Sequence, residues 1–128
     1  MRLLLDTHSP LWWLAGDAAL SAPARAAIAE GDNEVFVSAA SAWEIGTKHR
    51  IGKLPGVGPL VAAFGATIAD QGFQPLPITL RHGQLAGTLP GPHRDPFDRM
   101  LIAQTMLEDF LLVSNETLFD AYGVKRLW

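Results

Sequence analysis

Phe110-Leu111-Leu112-Val113-Ser114-Asn115-Glu116 contains the clearest buried strand of the chain, four apolar residues without alternation and then an abrupt polar turn. A strand that reads apolar on both faces belongs in a sheet covered on both sides, and such sheets are mostly parallel. Moving outward, Arg2-Leu3-Leu4-Leu5, Glu34-Val35-Phe36-Val37, Phe73 to Leu76 and Val124-Lys125-Arg126 supply the other strand candidates. Helical segments separate them. This alternation predicts an α/β fold, a three-layer α/β/α sandwich around a short, mostly parallel sheet. In such a sheet, side chains just past the strands gather along one edge, where open α/β folds bind ligands.

Caps and breakers set the expected helices. Ser9 as N-cap and Pro10 at the first position open one through Leu11-Trp12-Trp13-Leu14, and Ser21-Ala22-Pro23 opens a second to about Glu30. Ser38 caps a third, Ala39 to about Arg50. Gly52 to Pro59 reads as a loop, and a fourth helix runs from Leu60 to about Gln71, stopping at Gly72. A short helix from Thr79 to about Leu85 precedes a loop, Gly87 to His93, holding Pro90 and Pro92. The central helix follows, with Asp95 as N-cap and Pro96 at its first position, and ends near Asp109. Ser114-Asn115-Glu116-Thr117 starts a last short helix.

The 128 residues suffice for one domain, 1–128, with a real core, and 48% hydrophobic residues fit a compact fold. Cysteine is absent, which removes disulfide frameworks and thiolate metal sites and agrees with a cytoplasmic location. Asp6 interrupts the first apolar run too early for a signal peptide, and no stretch approaches the roughly 18 apolar residues of a membrane span. A net charge of −3 argues against coating nucleic acid by bulk positive charge. It leaves open an enzyme that holds nucleic acid through bound cations. The four histidines lack metal-ligand spacing, and no glycine-rich phosphate loop is present.

Asp6, Glu44, Asp98 and Glu116 each lie just past a strand or on the helix that follows one. Singly, each has an ordinary explanation. Asp6 suits a turn, Asp95 and Asp98 suit a helix start, and Ser114 or Asn115 suits a cap before Glu116. Lys48, four residues beyond Glu44, suits an exposed ion pair worth about 0.3–0.5 kcal/mol. Together they place carboxylates along one sheet edge, where mutual repulsion opposes ionisation unless a cation neutralises them. Mg²⁺ or Mn²⁺ matches such oxygen donors, and one or two ions there support phosphodiester hydrolysis and reverse the local charge for a polyanionic substrate. Lys48-His49-Arg50 and Lys53 form the one dense basic patch, read as a solvated helix end, and Trp12 and Trp13 read as packing residues.

In this order the motifs resemble a known family. Leu4-Leu5-Asp6-Thr7-His8, Ser38-Ala39-Ala40-Ser41-Ala42-Trp43-Glu44-Ile45, His93-Arg94-Asp95-Pro96-Phe97-Asp98-Arg99-Met100-Leu101-Ile102-Ala103-Gln104 and Leu112-Val113-Ser114-Asn115-Glu116 together are similar to PIN-domain ribonucleases of the VapC toxin type. The resemblance spans essentially the whole chain, and the Asp-Pro-Phe-Asp-Arg segment is its most specific part. It implies strand order 3-2-1-4-5 and a Mg²⁺- or Mn²⁺-dependent endoribonuclease. It also implies an RNA substrate, a cognate antitoxin and a homodimer. By position, Asp6, Glu44 and Asp98 become the metal-holding acids. Glu116 stands where relatives usually carry Asp, one methylene longer, and Ser114 where Thr is usual. Thr7 and Ser114 would orient carboxylates or water, with Asn115 and Asp95 in support; Arg99 and His93 are the candidates for contact with RNA. Two other functions stand beside this one. A non-catalytic module would use the acids for a structural cation and a partner. A small-molecule phosphohydrolase would need a second acid two residues past Asp6, where His8 stands.

Overall fold

Leu3, Leu4 and Leu5 have no exposed surface, and the strand that contains them, β1 (Arg2–Leu5), sits at the middle of the sheet. The computed structural model describes all residues from Met1 to Trp128. β1 pairs with β2 (Glu34–Ser38) on one side and β4 (Leu111–Val113) on the other. β3 (Gln74–Leu76) and β5 (Arg126–Leu127) form the edges, giving the order 3-2-1-4-5 with every pair parallel. The register sets Leu4 opposite Phe36 and Leu112, and Leu5 opposite Val37 and Val113.

Because successive strand residues point to opposite faces, the central strands feed two separate cores. Leu3, Leu5, Val35, Val37 and Val113 pack on one face, beneath α1 (His8–Ala15), α2 (Ala22–Ala29) and α5 (Phe64–Asp70). Leu4 and Leu112 pack on the other, beneath α6 (Leu80–Thr88) and α7 (Pro96–Glu108), whose Leu101, Ile102 and Ala103 are wholly buried. α3 (Ala39–Arg50) leaves β2 directly, with Ser38 as its N-cap accepting from the Ala40 N–H at 3.0 Å. Ser38 also donates to Gln104 Oε1 at 2.6 Å, which ties the start of α3 to the middle of α7.

Several boundaries differ from the sequence expectation. α1 begins at His8, not after Ser9, because the Asp6 carboxylate accepts the Ser9 N–H and Pro10 therefore falls inside the first turn. The single helix expected over 60–71 is two, α4 (Gly58–Ala62) and α5, broken at Ala63, whose backbone (φ −133°, ψ 37°) is non-helical. α6 runs past Leu85 to Thr88, with Thr79 and His82 in a reciprocal capping box at its start. The last strand shifts to Arg126–Leu127, and the segment after β4 becomes a 3-10 helix, Thr117–Tyr122, capped by Glu116.

Candidate active site

Asp6, at the end of β1, is fixed by its neighbours before anything else enters the site. Its N–H donates to the Val113 carbonyl at 3.0 Å. Its Oδ1 accepts from the Ser9 N–H at 3.0 Å and the Ser9 hydroxyl at 2.7 Å. Thr7 follows; its hydroxyl donates to Glu44 Oε1 at 2.7 Å. With that proton committed, Ser41, 3.1 Å away, must donate to Thr7. Glu44 thus reaches the end of β1 from α3, almost completely buried, and its second oxygen meets the Lys48 ammonium. The (i, i+4) pair expected on a solvated face instead has its carboxylate inside the site.

α7 brings the third acid. Asp95 caps it, accepting from the Phe97 N–H at 2.8 Å and the Asp98 N–H at 3.2 Å. Asp98, in the first turn, has Oδ2 3.0 Å from His93 Nε2, close enough for an ion pair, although that buried nitrogen lacks a well-aligned hydrogen bond. Burial pushes the Asp98 carboxyl up to about 7, helped by the negative charges of Asp95, Glu44 and Asp6 and opposed by His93. Glu116 arrives from the turn after β4. Buried Ser114 accepts the Glu116 N–H at 3.0 Å, and the Glu116 carboxylate caps the 3-10 helix through the Leu118 N–H at 3.1 Å.

All four acids, with Asp95, open on one cavity of about 330 Å³ at the carboxyl edge of the sheet. Thr7 and exposed Asn115 line it too. Ser114 holds the turn from beneath. Sequence reasoning did not place His8, Trp12, Lys48 and Phe119 at this cavity, yet all four line it. Trp12 combines core packing with a place in the wall, its ring 5.5 Å from that of His8. The spacing of Lys48 from Glu44 was the one available signal. Arg99 is committed elsewhere: its guanidinium donates to the carbonyls of Ala86, Leu89 and His93, stapling the loop before α7 to the end of α6. That removes the ground for reading Arg99 as a free phosphate contact.

Carboxylate and hydroxyl oxygens are hard donors, suited to Mg²⁺ or Mn²⁺. The raised Asp98 carboxyl marks a place where positive charge is short, so the residues fit a divalent ion chemically. No three acids stand close enough to grip one ion without movement of their side chains.

The fold and the cavity define an α/β domain whose carboxylates converge at the ends of parallel strands. The chain belongs to the PIN domain family, whose model matches residues 3–125. PIN domains are nucleases as a family and generally bind divalent metal ions. Among solved structures, VapBC2 from Rickettsia felis, bound to a DNA fragment from their promoter, is similar at 12% identity and TM-score 0.72, covering 99% of this chain and 98% of that one. FitAcB from Neisseria gonorrhoeae is similar at 16% identity and TM-score 0.59, covering 98% and 96%. FitAB bound to an IR36 DNA fragment is similar at 18% identity and TM-score 0.55, covering 98% and 93%. At these identities the likeness is one of fold. No curated protein matches the sequence.

Proposed function

We propose that this chain is a divalent-cation-dependent endoribonuclease and the toxin of a toxin–antitoxin pair. The observation that carries the proposal is the convergence of Asp6, Glu44, Asp98 and Glu116 on one cavity, with Asp98 held near neutrality by burial and by its neighbours' charge. Asp6, Glu44 and Asp98 would hold Mg²⁺ or Mn²⁺, with Glu116 lining the same cavity. When bound, the ion lowers the pKa of water and stabilises charge developing on phosphate oxygens. Ser9 and Thr7 keep the Asp6 and Glu44 carboxylates in place, which limits the reorganisation required on binding. The Lys48 ammonium pairs with Glu44, and the His93 ring stands 3.0 Å from Asp98, so a cation and an imidazole flank the acids that would hold the ion.

The fold likeness to VapBC2 and FitAB, which are toxin–antitoxin complexes, supports an antitoxin as partner, and a cytoplasmic setting goes with that reading because toxin–antitoxin PIN proteins are typically cytoplasmic. No helix is long and apolar enough to cross a membrane. A homodimer completes the reading by family resemblance. The test is cleavage of a mixed structured-RNA pool by partner-free protein in Mn²⁺, in Mg²⁺ and in chelator, beside Asp6→Asn and Asp98→Asn. Discrete cuts that require metal and vanish in both variants are expected. Cuts that persist in both would assign the activity to a contaminant, and intact RNA with folded, metal-bound protein would favour a non-catalytic binding module.

A further inference from the structure

A second cavity, about 120 Å³, adjoins the acidic one and is lined by Pro92, His93, Leu118, Ala121 and Tyr122. His93, which lines the second, and Phe119, which lines the first, pack together between them. His93 faces the second cavity while its Nε2 lies 3.0 Å from Asp98 Oδ2, and its ring packs at 5.9 Å on Phe119, which lines the first. One imidazole therefore separates this cavity from the carboxylates. The cavity is built into the fold. Gly91 takes a positive φ of 106°, and a Cβ there would lie 2.7 Å from the Tyr122 hydroxyl, so only glycine lets the loop before α7 close over that ring. The Tyr122 oxygen accepts the His93 N–H at 3.0 Å, which leaves the hydroxyl's own proton free to donate. Leu118, at the mouth, is 55% exposed despite its size.

We infer that this cavity is a nucleobase subsite, holding the base of a nucleotide next to the phosphate bound at the acids; the inference rests on the ribonuclease reading above. Its occupant must be planar, uncharged and small, since two rings and three apolar side chains form the walls and the space admits one ring system. It must also join a phosphate, the group that ions held by the acids would bind one side chain away. A base on its sugar–phosphate backbone meets all these conditions: its ring packs against the side chains of His93 and Tyr122, and an edge acceptor is the partner the free tyrosine proton calls for. An apolar side chain of a partner protein would use the walls and leave the hydroxyl without a role.

Neutral nucleosides isolate this subsite from metal and phosphate. Adenosine, guanosine, cytidine and uridine, titrated into metal-free protein, should move the Leu118 and Ala121 methyl NMR signals saturably and to different extents, whereas ribose should not. Ala121→Trp, which fills the cavity, should abolish those shifts. In randomised RNA with Mn²⁺, it should also lower the base preference beside the cut by roughly tenfold. Unmoved methyl signals, or equal shifts with ribose, would overturn the subsite, as would an unchanged preference in folded Ala121→Trp. Methyl shifts from a protein that cuts no RNA would keep the subsite and remove the ribonuclease reading. Cleavage with no nucleoside response would do the reverse.

Discussion

Asp98 holds two positions that oppose each other. As a first-turn carboxylate it complements the positive end of α7, yet it lies among Asp95, Glu44 and Asp6 in a partly dehydrated cavity. Burial and like charge win, raising its pKa to about 7 against an ordinary value of 3.8. Between those values the folded protein binds more protons at this site than the unfolded chain does. The contribution of Asp98 to stability is therefore full below about pH 4 and is lost as pH rises through about 7. In chelator, Asp98→Asn should flatten this decline and raise stability at pH 8 by about 1–2 kcal/mol, less than the full shift implies because water reaches the site. Mn²⁺ should then stabilise the native chain and leave the variant nearly unmoved. Thermal melts from pH 4 to 8, with and without metal, read both effects; lower stability of Asp98→Asn at pH 8 would mean that the helix dipole outweighs the crowding. Asp6 and Glu116 were legible in sequence because each follows an apolar run, Glu44 because its helix leaves a strand directly, and Asp98 because Asp95-Pro96 marks a helix start. Ser9, Lys48 and Phe119 were less so, since a hydroxyl, an ammonium or a ring on a helix announces packing until its neighbours are known.

At the level of elements, the site depends on how α3 and α7 are locked together. Ser38 caps α3 and also donates to Gln104 of α7, which in turn reaches the Pro77 carbonyl and His82 of α6. Ser38→Ala removes a cap and leaves a buried amide oxygen short of a donor, so it should cost about 2–3 kcal/mol. Urea unfolding reads this directly. Because Glu44 and Asp98 ride on these two helices, metal affinity should fall in the same variant although Ser38 does not line the acidic cavity. The cap was readable from Ser38 and the residues after it, but its partner 66 positions away was not. Local chemistry likewise announced Asp95-Pro96 as a helix start, whereas the break at Ala63 carries no glycine or proline to mark it.

For the molecule as a whole, topology follows from burial. Three strands read as unrelieved apolar runs, and the structure covers them on both faces. The edge strands were less legible: β3 and β5 are only three and two residues long, with mixed composition and little hydrophobic pattern to fix their limits. Leu4, wholly buried in the central strand, should be among the most costly positions to truncate, at about 3 kcal/mol for Leu4→Ala by chemical denaturation. The arrangement also has a consequence in time. Asp6 is bonded through its backbone to Val113, so the first acid acquires its setting only when the chain's two ends meet in the sheet. A ribosome making this protein extrudes the first strand long before its fourth. Until residues 111–116 emerge, the nascent chain carries scattered carboxylates and no centre. A message truncated ahead of that point yields a chain in which the acidic centre never assembles.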